Sequence, residues 1–163
     1  MKLNISFYKT RSDIASIVEE CENLAYTQHV FNGGTLRYRG LARYSDYLVC
    51  ARDEKEKLVG FTALKGGYYR DNDIYISQIA VDKDLLRRGI ASEMIKYIMN
   101  NSKGFNHLTA DVRKDNVASN ALFKSLNCCR KSRTDASSDL YVFDLRKIAD
   151  RKPFQESTQR KSL

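Results

Sequence analysis

The chain has little with which to hold a metal. It carries two histidines, His29 and His107, and four cysteines, Cys21, Cys50, Cys128 and Cys129. No His/Cys cluster forms, and the cysteine spacing fits no zinc site. Cys128 and Cys129 are neighbours, where a disulfide is strained. All four read as reduced thiols, and no metal cofactor is expected. No apolar run approaches the ~20 residues that cross a membrane. Residues 1–10 alternate like a strand and lack the apolar core of a signal peptide. A cytoplasmic protein without a membrane partner is expected. There is one proline, Pro153, and neither an internal repeat nor an interdomain linker.

What is present suits one soluble domain. The 163 residues are 42% hydrophobic and 29% charged, enough to bury a sizeable core. The net charge of +8 suits nucleic acid, an anionic cofactor or an acidic substrate. In residues 124–163, however, basic residues outnumber acidic ones ten to five, so much of the excess lies toward the C-terminus. The basic residues are spread and form no tract, so nucleic acid is not an expected partner. The expected organisation is a domain over residues 1–147 and a loosely ordered basic tail over 148–163.

Periodicity gives the element order. Residues 2–8 read as a strand. Ser12 can cap a helix whose buried stripe is Ile14, Ile17, Val18, Cys21, Leu24 and Ala25. Residues 26–46 are irregular, around Gly33-Gly34 and Gly40, with room for a short helix. Residues 47–52 and 58–65 form a hairpin across a polar turn. A glycine- and tyrosine-rich turn leads into a strand over 74–81, apolar on both faces and so central in its sheet. A helix follows, with Ile90, Ala91, Met94, Ile95, Ile98 and Met99 on one face. Residues 108–112 form a further strand. Asn116 starts a helix with Val117, Ala118, Ala121, Leu122 and Leu126 on one face. Residues 128–133 and 139–145 close the domain as an antiparallel pair. The strands over 74–81 and 107–112, joined by a helix, should lie parallel.

One motif carries chemistry. Gln78-Ile79-Ala80-Val81-Asp82-Lys83-Asp84-Leu85-Leu86-Arg87-Arg88-Gly89-Ile90-Ala91-Ser92 reads as strand, basic turn, then a glycine opening an amphipathic helix. Such a turn aims backbone N–H groups and the positive end of a helix dipole at one point. A phosphate group is the usual occupant. Gly89 lets a ligand approach the backbone, and Arg87 and Arg88 add charge. Alone, this pattern is equally compatible with plain packing.

Three segments together resemble the GCN5-related N-acetyltransferase (GNAT) family over residues 3–146. Ile79-Ala80-Val81 resembles the strand end beside which acetyl-CoA lies. Arg87-Arg88-Gly89-Ile90-Ala91 resembles the pyrophosphate loop. Asn116-Val117-Ala118-Ser119-Asn120-Ala121-Leu122-Phe123-Lys124-Ser125-Leu126 resembles the helix flanking the pantetheine arm. The resemblance implies a mixed α/β (α+β) fold, with a mostly antiparallel sheet of six or seven strands flanked by helices. Two central parallel strands splay apart. It also implies acetyl-CoA as co-substrate, bound by Ile79, Ala80, Val81, Arg87, Arg88, Gly89, Ile90, Ala91, Ser92, Asn116 and Phe123. The reaction implied is acetyl transfer to a primary amine of a small molecule or peptide, by direct attack in a ternary complex. The family forms monomers or homodimers.

The chain departs from the family at three positions. Leu86 stands where the loop usually opens with Gln or Arg, so Arg87 or Arg88 must supply the polarity. Phe123 stands where many members carry a tyrosine taken as general acid, and phenylalanine has no proton to give. Ser77 and Gln78 stand where many members place a glutamate base. Gln78 is the candidate for positioning a water; an ordinary strand residue is the other reading. A non-catalytic acyl-CoA-binding or regulatory protein is therefore the alternative function. On the acceptor side, Arg37, Tyr38, Arg39, Arg43 and Tyr44 could bind a carboxylate-bearing substrate. Tyr68 and Tyr69 can reach the same cleft, and His29 could serve as base.

Overall fold

The computed structural model of the chain describes residues 1–27, 41–126, 129–135 and 137–157. Of the residues singled out in the sequence, His29, Gly33-Gly34, Arg37, Tyr38, Arg39, Gly40 and Cys128 lie outside these residues, as do the side chains of Ser12, Arg43 and Cys129.

Seven strands form one sheet in the order β1-β2-β3-β4-β5-β7-β6. They are β1 (Asn4–Lys9), β2 (Tyr47–Arg52), β3 (Leu58–Gly66), β4 (Asp73–Val81), β5 (His107–Arg113), β6 (Cys129–Thr134) and β7 (Ser138–Asp144). Every pairing is antiparallel except β4 with β5. The helices are α1 (Ala15–Thr27), α2 (Leu41–Tyr44), α3 (Ile90–Asn100) and α4 (Val117–Ser125). The fold class and the parallel pair are those expected from the sequence.

Each face of the sheet buries its own core. α1 covers one face with Ile17, Val18, Cys21 and Ala25, against Leu48, Cys50, Phe61, Ala63 and Ala80. Arg52, almost wholly buried at the end of β2, reaches Glu20 of α1 with two parallel bonds of 2.8 and 2.9 Å, the fork geometry that suits guanidinium and carboxylate. α3 and α4 cover the other face, where Ile90, Met94, Ile95, Ile98 and Phe123 meet Val49, Leu64, Ile74, Ile76, Leu108 and Phe143. Gly60 permits the close approach of α3. A Cβ there would lie 3.0 Å from Ile90 Cγ2 and 3.2 Å from the Ala80 carbonyl oxygen.

One expectation changes. Only part of the apolar side of α4 is buried: Leu126 packs against the core and Leu122 is half-buried. Val117, Ala118 and Ala121 are exposed, and the buried residues are Asn120 and Phe123. The long Phe123 ring reaches the core, whereas the small residues cannot.

Residues 148–157 make three kinds of contact with the domain. Arg151 donates to the carbonyls of Ser102 and Phe105 at 3.0 and 2.7 Å. Phe154 stacks on Phe7 with ring centroids 4.3 Å apart. The Ser157 N–H donates to the Phe7 carbonyl at 2.7 Å. Phe154 packs against Phe7, Tyr47 and Phe105, and Ser157 bonds to the free edge of β1. The remainder of the expected tail, 158–163, lies outside the described residues.

Candidate active site

β4 has two halves. Asp73, Ile74, Tyr75 and Ile76 pair with β5, opposite His107, Leu108, Thr109 and Ala110. From Ser77 to Val81 the pairing with β5 stops, while β3 stays paired to Val81. The β5-facing backbone edge of this upper half has no strand partner, and buried backbone groups require one.

A bulge marks the point of divergence. Leu64 opposes Ile76 and Ala63 opposes Gln78, so Ser77 is the extra residue. Its hydroxyl donates to the Ala63 carbonyl at 3.1 Å. A bulge bends its strand and ends regular pairing. It also resets the alternation of side chains. Ile74 and Ile76 face α3, and in a regular strand Gln78 and Ala80 would share that side. Instead Ala80 packs under α1, while Ile79 and Val81 pack against the α3 core. Gln78 follows Ala80 and is 6% exposed, and its Nε2 has no hydrogen-bond partner among the described residues.

The loop beyond β4 is anchored by Asp82. Its carboxylate accepts the Asp84 N–H at 2.9 Å and meets Lys57 Nζ at 3.3 Å. These contacts, the Asp84 N–H first, hold the carboxyl below the usual range. A 3-10 turn, Lys83–Leu85, follows. Arg87 and Gly89 then both take left-handed φ, +65° and +79°. Glycine adopts that conformation at no steric cost, and arginine does not. Gly89 caps α3, whose first intrahelical bond joins Glu93 N–H to the Gly89 carbonyl at 2.9 Å. The N–H groups of Ile90, Ala91 and Ser92 precede that bond and have no partner within the helix. Space is open where a Gly89 Cβ would stand.

The sequence-predicted binding residues are only partly assembled. Ile79, Ala80 and Val81 end the splayed half of β4, and Gly89, Ile90, Ala91 and Ser92 form the helix start. Arg87 is exposed at the same turn. Arg88 instead lines a cavity of about 520 Å³ with Met1, Leu3, Ile5 and Glu93, on the β1 side. Asn116 caps α4 by accepting the Ser119 N–H at 3.1 Å. Phe123 is 2% exposed and stacks on Tyr141 at 5.5 Å. The Tyr141 hydroxyl, itself buried, donates to Asn120 Oδ1 at 2.6 Å. Neither ring opens onto a cleft.

On the opposite face the structure assembles residues that periodicity could not join. Tyr68 stacks on Tyr75, with centroids 4.4 Å apart, and Tyr69 stands edge-on to both at 4.9 and 5.5 Å. The Tyr69 hydroxyl donates to Asp111 Oδ2 at 3.0 Å. Burial, then the neighbouring Tyr69 and Asp111, raises the Tyr75 hydroxyl well above its ordinary pKa, so it stays protonated. Tyr75 was missed because it reads as one more strand residue. Its pairing across β5 and the turn holding Tyr68 and Tyr69 are tertiary facts. His107 lies elsewhere, with Nδ1 2.9 Å from Asp73 Oδ1. Cys21 and Cys50 are buried with sulfurs 3.7 Å apart, and the hydrogen bond and burial raise the Cys21 thiol. Among the described residues no group of three or more His, Cys, Asp or Glu could hold a metal. No described helix is long and apolar enough to cross a membrane.

A model of the acetyltransferase (GNAT) family matches residues 13–127. The chain belongs to that family. A search of curated proteins gives no match. Among solved structures, the ribosomal-protein-S18-alanine N-acetyltransferase of Escherichia coli superposes with a TM-score of 0.63 at 16% identity, covering 98% of this chain and 100% of that one. Diaminobutyrate acetyltransferase of Paenibacillus lautus, solved with L-2,4-diaminobutyric acid and coenzyme A, gives 0.62 at 18%, covering 97% and 100%. A GNAT-family acetyltransferase of Bacillus cereus gives 0.67 at 15%, covering 88% and 98%. At such identities the likeness concerns the fold.

Proposed function

We propose that the protein is an acetyl-CoA-dependent N-acetyltransferase acting on a primary amine in the cytoplasm. The observation that carries this reading is the divergence of β4 from β5 at Ser77, directly before the left-handed turn into α3. Coenzyme A is a polyanion with an extended, amide-bearing arm. Its pyrophosphate suits the N–H groups of Ile90, Ala91 and Ser92, with Arg87 beside them. Its amides suit the unpaired strand edge of Ser77–Val81. The exposed apolar stripe of Val117, Ala118 and Ala121 gives the arm a surface to lie against.

The chemistry needs no covalent enzyme intermediate. The neutral amine nitrogen attacks the thioester carbonyl carbon, and backbone N–H near Ile79 stabilises the oxyanion. The C–S bond then breaks, and the thiolate leaves and takes a proton. A free thiol has a pKa near ~8.5, so this leaving group is tolerable without a strong acid. The unpartnered Gln78 amide can hold the water that accepts the amine proton.

One observation favours a second reading, a non-catalytic acyl-CoA-binding protein. Phe123 supplies no proton, and the neighbouring Tyr141 is buried and bonded to Asn120. Thiol release from acetyl-CoA against a panel of amines separates the two, with Gly89→Glu as control. Amine-dependent release that the control abolishes establishes transfer. Tight acetyl-CoA binding without release by any amine favours the binding protein. Absence of acetyl-CoA binding overturns both.

A further inference from the structure

We propose that the acceptor is a dication of the diamine type. Its second, non-reacting ammonium would sit among Tyr68, Tyr69, Tyr75 and Asp111. The reacting end rests on the acetyltransferase reading; the ammonium site does not.

Three tyrosine rings packed face-to-face and edge-to-face make one aromatic wall, with Tyr68 and Tyr69 open to solvent. Aromatic faces attract cations. Asp111 flanks these rings with an exposed carboxylate that accepts from the Tyr69 hydroxyl. Although the chain carries a net charge of +8, Asp111 has no ion pair among the described residues. An anionic ligand would meet that carboxylate and the negative ring faces, and would be repelled.

A second observation points to a ligand beside these rings. Thr109 lies opposite Tyr75 in the β4–β5 register and is 4% exposed, and its Oγ1 has no hydrogen-bond partner among the described residues. Buried polar groups are normally satisfied, and a hydroxyl oxygen can accept from an ammonium, so Thr109 marks a group that suits a cationic ligand. Gln78 lies three residues beyond Tyr75, beside the reacting end. Three residues of strand span roughly 7–10 Å. That distance separates these rings from the upper half of β4 and matches an extended diamine with a spacer of about five or six carbons. The opposite tendency, toward an acidic acceptor, drew on Arg37, Arg39 and Arg43, which lie outside the described side chains.

The test is calorimetric titration of the full chain with 1,6-diaminohexane and with hexylamine, with and without coenzyme A. Wild type, Asp111→Asn and Tyr75→Leu are compared. The diamine should bind about tenfold tighter than the monoamine. That preference should vanish in Asp111→Asn, an exposed and conservative change, and shrink in Tyr75→Leu. Equal binding of both amines by wild type, or a preference that survives Asp111→Asn, overturns the proposal. Because the titration reads amine binding alone, a chain that binds the diamine but not acetyl-CoA would keep this site while losing the acetyltransferase reading.

Discussion

The two halves of β4 are built from similar residues and do different work. The lower half, Asp73 to Ile76, is bonded on both edges and buries Ile74 and Ile76 under α3. The upper half, Ser77 to Val81, is bonded on one edge only. Apolar content does not separate them: Ile79, Ala80 and Val81 would suit the centre of a sheet as well as Ile74 does. The difference comes from one extra residue. A bulge at Ser77 bends the strand and frees an edge that a packed core would have closed. Binding capacity thus comes from leaving backbone unpaired, at a place where the neighbouring core is strong enough to tolerate it.

Deleting Ser77 should break the comparison most completely. The register on β3 then runs from Leu64–Ile76 directly to Ala63–Gln78, so every other side chain keeps its face. The domain should still melt cooperatively, while coenzyme A affinity falls by at least about a hundredfold, or ~2.7 kcal/mol. Calorimetric titration beside a thermal melt checks both. Retained coenzyme A binding would show that the bulge does not hold the cleft open.

Gly89→Glu attacks the other end of the same site. A non-glycine residue in a left-handed conformation costs about 1–2 kcal/mol, and the carboxylate repels a pyrophosphate at the start of α3. Coenzyme A affinity should drop by at least about tenfold, with the melting temperature only slightly lowered; titration and calorimetry read the two effects.

The contrast sharpens with one truncation in each half. Ile74→Ala should cost roughly 2–5 kcal/mol in urea unfolding, as for a fully buried isoleucine. Ile79→Ala, at a partly buried site, should cost about 1 kcal/mol. Equal losses would mean the halves pack alike.

These predictions depend on features that differ in how visible they were. Every strand, and the helices α1, α3 and α4, could be read from periodicity, because each buries one stripe or both faces of a regular element. Gly89 could be read because an anion-binding turn needs a residue that tolerates positive φ. The bulge could not. Ser77 is unremarkable in sequence, and only its pairing with β3 shows two residues opposing one. How far the α4 stripe is buried was not legible for a related reason: periodicity finds an apolar stripe but not which of its residues meet the core. Burial of Phe123 settles that.

The smallest expected effect concerns the anchor of the loop. Asp82→Asn keeps an acceptor for the Asp84 N–H but loses the charge beside Lys57, and should cost about 0.5 kcal/mol near neutral pH. The Asp82 carboxyl is held below its ordinary pKa in the fold, chiefly by the Asp84 N–H. Its stabilisation is therefore present above the unfolded value and is lost as pH falls through the folded one. Urea unfolding from pH 7 down to pH 3 should show the gap between variant and parent narrowing below about pH 4.

By itself the sequence determined the element order, the parallel pair, the phosphate-binding turn and the lack of a metal-ligand pattern. These follow from local spacing and from residue chemistry, which act over a few residues. Only the tertiary structure decided where β4 leaves β5, which side Gln78 faces, how residues 148–157 close the edge of β1, and that three tyrosines and Asp111 share one corner. Those features depend on register between strands distant in the chain, and register is set by the packing of the whole sheet.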